Sequence, residues 1–244
     1  MIYDRKFYEG QSQTSLQSAR AIVPVVADWL DVRSVCDVGC GIGTWLHAFE
    51  ECGVADVVGV DGNYVDRSML QIEPSKFVAA DLTQPLDLGR TFDLAISLEV
   101  AEHLPESSAA SFVATLTTLA PAVLFSAAVP FQGGEHHVNE RWQSYWAELF
   151  ERRGYTCVDC VRPRFWNDAS IEFWYRQNTL VYVRAAQLER YSKLPKTLVG
   201  RPNYPFDVVH PDCAASIASP GFFQAVKTLP RLFRRGLRGK LGRT

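Results

Sequence analysis

Short runs of consecutive apolar residues, rich in Val, Ile and Phe, alternate along the chain with longer stretches in which apolar positions recur every three or four residues. The first pattern fits strands buried on both faces and the second amphipathic helices. Their alternation predicts βαβ units around a parallel sheet. Strands are expected near 34–38 (SVCDV), 56–60 (DVVGV), 77–80 (FVAA), 92–98 (FDLAISL), 122–128 (AVLFSAA), 155–161 (YTCVDCV) and 179–184 (TLVYVR). Seven such strands make one doubly wound α/β sheet. Helices are expected over 14–30, 43–52, 64–72, 106–119 and 139–153. The last has Asn139 as its N-cap, Trp142, Tyr145, Trp146, Leu149 and Phe150 on one face, and Gly154 as its stop. The aromatic-rich connection 163–178 is the only room for a crossover between the last two strands. Those strands are therefore expected to pair antiparallel at the sheet edge, with the connection folded back over the sheet. From Gln187 onward Pro and Gly are frequent and periodicity fades, which divides the chain into a main domain over 1–186 and an appended segment over 187–244.

Composition leaves that picture intact. The 244 residues are 47% apolar and 21% charged, enough for one large core. No window approaches the run of about 20 apolar residues that spans a bilayer, and MIYDRKFYEG lacks the basic-then-apolar layout of a signal peptide. A cytoplasmic location is expected. The six cysteines are scattered through strand-like and helix-like segments, which points to reduced, mostly buried thiols. Charge adds something new. From Arg190 onward eleven Lys or Arg face only Asp207 and Asp212, a net +9 that leaves −11 over residues 1–189. Seven of these cations lie in KTLPRLFRRGLRGKLGRT (227–244), interspersed with Leu and Phe. Such a tail suits peripheral contact with an anionic membrane or a nucleic acid, unless it is simply a solvated terminus.

The candidate chemistry begins where SVCDV runs into Gly39-Cys40-Gly41-Ile42-Gly43 and a helical pattern follows at once. Glycines there allow a sharp turn and a close approach to a ligand, and a helix N-terminus offers free N–H groups. A dinucleotide-binding loop would place its third glycine at position 44, which is Thr. The sequence DVGCGIG instead resembles motif I of the class I S-adenosylmethionine-dependent methyltransferases, a Rossmann-like fold whose seven-stranded sheet has an antiparallel last strand. The register agrees over roughly residues 15–185. Asp61 ends the second strand (VVGVDG), Asp81 ends the third (FVAADL), and an FD pair opens the fourth. The resemblance implies S-adenosylmethionine as cofactor, with Asp61 accepting from the ribose hydroxyls beside Gly62. It also implies that Asp81 and the Leu82 N–H read the adenine edge. The loop residues Gly39, Cys40, Gly41 and Gly43 would pass along the methionine part, with Asp37 near the amino group and Glu99 at the end of the fourth strand. A carboxylate suits a vicinal diol because one ionised group accepts from both hydroxyls.

SLEVAEHLPE (97–106) follows that fourth strand. If 99–103 form a helical turn, Glu99, Glu102 and His103 share a face, and Pro105 keeps the turn short. Three readings compete. The segment shapes a substrate lid without chemistry; it binds a divalent cation with a histidine from the loop after strand five; or His103 or His137 is a metal-free general base. The E-x-x-E-H pattern with a later His resembles the metal site of small-RNA 3′-terminal 2′-O-methyltransferases. By that resemblance the ligands are Glu99, Glu102, His103 and His137, with His136 as the substitute. Carboxylate oxygens with imidazole suit Mg²⁺ or Mn²⁺. The loop PFQGGEHHVNERW (130–142) carries both histidines. A Cys₃His zinc site from Cys157, Cys160, His210 and Cys213 is a weaker candidate, since a strand would turn Cys157 and Cys160 to opposite faces.

For the acceptor, Phe165, Trp166, Phe173, Trp174 and Tyr175 stand among Asn167, Asp168, Glu172, Arg176, Gln177 and Asn178. Flat apolar faces beside hydrogen-bonding groups suit sugar rings and nucleobases alike. The combination of GGEHHVNERW and WYRQN also resembles small bacterial methyltransferases of glycan assembly, which implies O-methylation of a sugar hydroxyl. An RNA 2′-O-methyltransferase is the enzymatic rival, opposed by an acidic main domain that repels a phosphate backbone. A methyltransferase-like binding protein without activity is the alternative of another class.

Overall fold

The computed structural model describes residues 5–200 and 206–218, with side chains from Thr14 onward. The chain falls into two units, Met1–His210 and Pro211–Thr244. In the first, all seven expected strands form: β1 (Ser34–Val38), β2 (Asp56–Asp61), β3 (Phe77–Ala79), β4 (Leu94–Leu98), β5 (Ala122–Ser126), β6 (Tyr155–Val158) and β7 (Leu180–Arg184). They make one sheet in the order β3-β2-β1-β4-β5-β7-β6. Every pairing is parallel except those of β7, which runs antiparallel to both β5 and β6.

Strand alternation sorts side chains into two cores. Val35, Leu94, Ile96, Leu124, Val181 and Val183 face one side, while Cys36, Ala95, Val123, Phe125, Leu180 and Tyr182 face the other. Helices α1 (Arg5–Leu30) and α2 (Thr44–Glu51) cover the first face through Ile22, Val26, Leu46 and Phe49. Helices α3 (Ala109–Leu119) and α4 (Gln143–Arg152) cover the second through Phe112, Leu116, Trp146 and Phe150. The connection 163–178 folds into two short helices, α5 (Val161–Phe165) and α6 (Phe173–Asn178), on the α1 side. After β7, a bridge from Val158 to Val199 and the bond from Asp159 N–H to the Leu198 carbonyl lay residues 198–200 along β6.

Two local expectations are overturned. Residues 64–72 do not form a helix: only Arg67–Met69 makes a 3₁₀ turn, capped by the Asp66 carboxylate, which accepts from the Ser68 N–H at 2.9 Å. Asp is among the residues that compete with helical hydrogen bonding in this way. Nor is Asn139 an N-cap. Its N–H and that of Val138 both donate to the Glu102 carbonyl, at 3.0 and 2.9 Å, and the Arg141 N–H donates to the Ala128 carbonyl at 3.1 Å. The loop is thus tied down before α4 begins, with Trp142 as its extended N-cap. Trp146, Ala147 and Phe150 are buried, whereas Trp142 is exposed.

In the second unit, α7 (Pro211–Ala218) is the described element. The basic stretch 227–244 lies outside the described residues. No helix among those described is long and apolar enough to cross a membrane.

Candidate active site

Strand order reverses between β1 and β4, and in open α/β sheets the crevice at that switch point receives the ligand. A crevice lies there, lined by Gly39, Cys40, Gly41, Asp61, Leu82, Glu99, His103 and Tyr175, and closed on one side by Ser15 of α1. The glycine loop builds its floor. Gly39, Gly41 and Gly43 have φ of 94°, 52° and 84°, backbone that side-chain-bearing residues rarely adopt, and a Cβ on Gly39 would overlap Val100.

Asp61, at the end of β2, is buried and organises this loop. Its Oδ2 accepts from the Gly41 N–H at 2.7 Å, and its Oδ1 accepts from the Gly62 N–H at 2.6 Å and the Tyr64 hydroxyl at 2.5 Å. Burial raises its pKa against the pull of these three donors. Asp37 is pushed well above the usual carboxylate range by burial and by the charge of Asp61. Asp61 lines the crevice, and Asp37 is buried outside its lining. A second hollow adjoins the first, lined by Gly62, Tyr64, Asp81 and Leu82. Asp81 is exposed there and accepts from the Thr83 N–H and hydroxyl at 2.9 and 2.7 Å. Tyr64 and Leu82 line both hollows, so the Tyr64 ring stands between them.

Beyond Glu99 a 3₁₀ turn, Ala101–His103, carries the remaining acid and histidine. Glu102, His103 and His137 converge, their potential ligand atoms all within 4.8 Å of one another. Glu102 is 0% exposed, and neither carboxylate oxygen has a hydrogen-bond partner. Its Oε1 is 4.0 Å from the His137 Nε2. Burial and the neighbouring Glu99 charge raise its pKa well above normal, against a weaker pull from the Glu102 and Ala128 backbone, whose geometry falls short of a hydrogen bond. Burial and the charge of His137 lower His103 to about 4, against a hydrogen bond to the His136 backbone, so His103 is neutral at pH 7. The His103 and His137 rings meet edge to face, centroids 4.8 Å apart.

Of the four residues expected to ligate together, Glu99 stands outside this cluster. Its oxygens accept from the Gln132 side chain at 2.9 Å and the Asn178 side chain at 3.1 Å. It takes φ 55° on leaving β4, which turns it toward that amide layer. His136 is exposed and outside the cluster. The zinc candidate finds no support among the described residues: Cys157 packs in one core and Cys160 in the other, and burial raises both thiols. The His210 ring lies against Trp166 and bonds its carbonyl at 2.9 Å.

A seven-stranded sheet with an antiparallel β7, a glycine loop after β1 and a buried acid ending β2 define a class I S-adenosylmethionine-dependent methyltransferase. The profile of the methyltransferase domain family matches residues 17–169, and the chain belongs to that family. A search of curated proteins returns no match. Among solved structures the fold is similar to magnesium protoporphyrin IX methyltransferase (ChlM) from Synechocystis PCC 6803 with bound SAH. That match has 22% identity over 70% of this chain and 84% of that one, with a TM-score of 0.54. The sugar N-methyltransferase KedS8 from Streptoalloteichus sp. ATCC 53650 has 17% identity over 73% and 91%, TM-score 0.54. An O-methyltransferase family protein from Burkholderia thailandensis has 14% identity over 75% and 60%, TM-score 0.55.

Proposed function

We propose that this methyltransferase transfers the methyl group to a hydroxyl oxygen of a saccharide, at the Glu102–His103–His137 cluster and with the help of a divalent cation. The observation that carries the reading is the Glu102 carboxylate, fully buried and without a hydrogen-bond partner beside two imidazoles, of which His103 lines the crevice. A buried carboxylate without a partner is costly, and a cation is the partner this donor set suits. Mg²⁺ or Mn²⁺ bound there would supply Lewis acidity toward a hydroxyl and orient a vicinal diol.

The chain's own residues supply the rest. Asp61 accepts from the cofactor's ribose hydroxyls, Asp37 faces its ammonium group, and the glycine loop leaves room for the methionine chain. Asp81 and Leu82 flank the adenine. Glu99, held by Gln132 and Asn178, lines the crevice as a fixed wall. His103, neutral at pH 7, puts no repelling charge beside a cation. With the His103 and His137 ring nitrogens given to the cation, the second oxygen of Glu102 would take the acceptor's proton as the hydroxyl oxygen attacks the methyl carbon in line and the cofactor's sulfur leaves as the neutral thioether. Exposed Phe131, Val138 and Trp142 on the loop that carries His137 offer flat apolar surface for a sugar ring.

The ribose terminus of an RNA offers the same vicinal diol and is the rival acceptor. Labelled methyl transfer over free glycans, lipid-linked saccharides and RNA separates them. Incorporation into a saccharide that stops in excess EDTA and returns with Mn²⁺ is the expected result. Transfer to RNA alone, or full activity in EDTA, contradicts the proposal. Tyr64 gives a second test, because its hydroxyl occupies an acceptor site on Asp61 that a ribose hydroxyl needs. Tyr64→Phe removes the competitor and keeps the ring. S-adenosylhomocysteine should then bind about threefold to tenfold tighter by calorimetry, the worth of one hydrogen bond. Unchanged or weaker binding shows that the phenol does not compete.

A further inference from the structure

The sequence pattern around His136 and His137 gives no sign of what holds either ring, and the answer lies three residues further on. Glu140, on the same loop, is saturated by the segment it follows. Its Oε2 accepts from the Phe131 N–H at 2.9 Å, and its Oε1 accepts from the Gly133 N–H at 2.9 Å and pairs with the His137 Nδ1 at 3.1 Å. Both carboxylate oxygens already accept from backbone N–H groups, so Glu140 is the acceptor in all three contacts and the hydrogen in the Glu140–His137 contact sits on Nδ1. When the imidazole is neutral, Nε2 therefore keeps its lone pair. That nitrogen is the one 4.0 Å from the Glu102 Oε1. The same loop shapes the space around the ring: a Cβ on Gly134 would overlap the His137 imidazole, so only glycine lets the ring lie where it does.

We propose that Glu140 is the positioning residue of this site, fixing both the orientation of His137 and its Nδ1–H tautomer so that the bare Nε2 faces Glu102 and His103. The Glu140 carboxylate folds residues 131–137 into a cradle through the two backbone N–H groups and sets the proton through the third bond. Which ring nitrogen of a histidine is free is decided by the partner of the other one, and such partners commonly alter affinity or activity by about 10–100-fold when removed. The catalytic part of the proposal rests on the reading of the Glu102–His103–His137 cluster given above. The tautomer does not.

Long-range ¹H–¹⁵N correlation of the histidine-labelled full chain, metal-free and above the ordinary histidine pKa, reads the tautomer directly, with the His137 signal assigned through His137→Gln. The expected wild-type pattern is protonated Nδ1 and bare Nε2. Glu140→Ala should move His137 toward the Nε2–H form and lower kcat for transfer by about tenfold or more, with the KM for S-adenosylmethionine unchanged. Glu140→Asp should recover part of both. Glu140→Gln keeps the size of the side chain and serves if the alanine variant does not fold, and S-adenosylhomocysteine binding verifies that each variant is native. A wild-type His137 protonated at Nε2 overturns the proposal, as does a folded Glu140 variant with unaltered tautomer and kcat. If no acceptor is found, the cluster reading fails alone, since the wild-type spectrum still decides the positioning.

Discussion

Asp61→Ala should weaken binding of S-adenosylhomocysteine at least about tenfold, because the variant loses a charged acceptor worth about 1.5–3 kcal/mol per hydrogen bond. The comparison needs care, since Asp61 also accepts from the Gly41 and Gly62 N–H groups and so holds the glycine loop to the end of β2. Part of the loss will come through a slackened loop. Asp61→Asn divides the two contributions. It keeps one acceptor oxygen and the side-chain volume, so it should preserve thermal stability better than alanine while still losing most of the affinity. Calorimetric titration beside a thermal melt of each ligand-free variant reads both. An alanine variant that binds as tightly as wild type removes Asp61 from the ribose site.

Glu102→Gln should abolish turnover and Mn²⁺ binding while making the metal-free protein more stable. A functional side chain can carry a cost in stability, and the cost here is specific to this carboxylate. Glu102 is fully buried with both oxygens unpartnered, so its ionised form is penalised in the fold and its pKa rises. The sign follows from that direction. Below the unfolded-state carboxylate pKa of about 4.3 the group is neutral in both states and carries no ionic penalty. As pH rises from there toward the higher folded-state value, the unfolded chain ionises and the folded one does not, and stability is lost. The advantage of glutamine should thus be absent in acid and grow with pH, reaching about 1 kcal/mol or more near neutrality, about 2–4 °C in Tm. A melting series of both proteins in EDTA from acid to neutral pH measures it. A less stable glutamine variant at neutral pH would mean that the carboxylate is satisfied, contrary to the account.

What could be read from the chain and what could not divides along a physical line. Strands and two-sided cores were legible because Val35/Cys36, Leu94/Ala95 and Leu124/Phe125 put an apolar side chain on each face, and alternation needs no tertiary information. The positions of the glycine loop, Asp61 and Asp81 at the ends of their strands were legible through the resemblance of DVGCGIG and the spacing after it to the class I methyltransferases, and the structure puts the loop and Asp61 at the switch-point crevice. Residues 64–72 were not. Their apolar spacing permits a helix, but the Asp66 carboxylate bonding the Ser68 N–H at 2.9 Å favours a turn. Asn139 read as a cap because its type is right, yet its N–H is taken by the Glu102 carbonyl, 37 residues away in sequence. Glu140 and Tyr64 were invisible for the same reason. Each matters through a bond made possible by a loop closing on itself, and no local pattern marks it. Glu99 was expected to ligate with Glu102 because the two are three residues apart, but positive φ and the Gln132 and Asn178 amides turn it elsewhere.

The most direct test of the whole reading is a crystal structure of the full chain with S-adenosylhomocysteine and Mn²⁺, with the metal located by its anomalous signal. The ribose should lie on Asp61 with the Tyr64 hydroxyl displaced, the adenine between Asp81 and Leu82, and a single manganese peak among Glu102, His103 and His137. A cofactor product bound outside the glycine loop, or manganese bound elsewhere with the Glu102 carboxylate still bare, would contradict it.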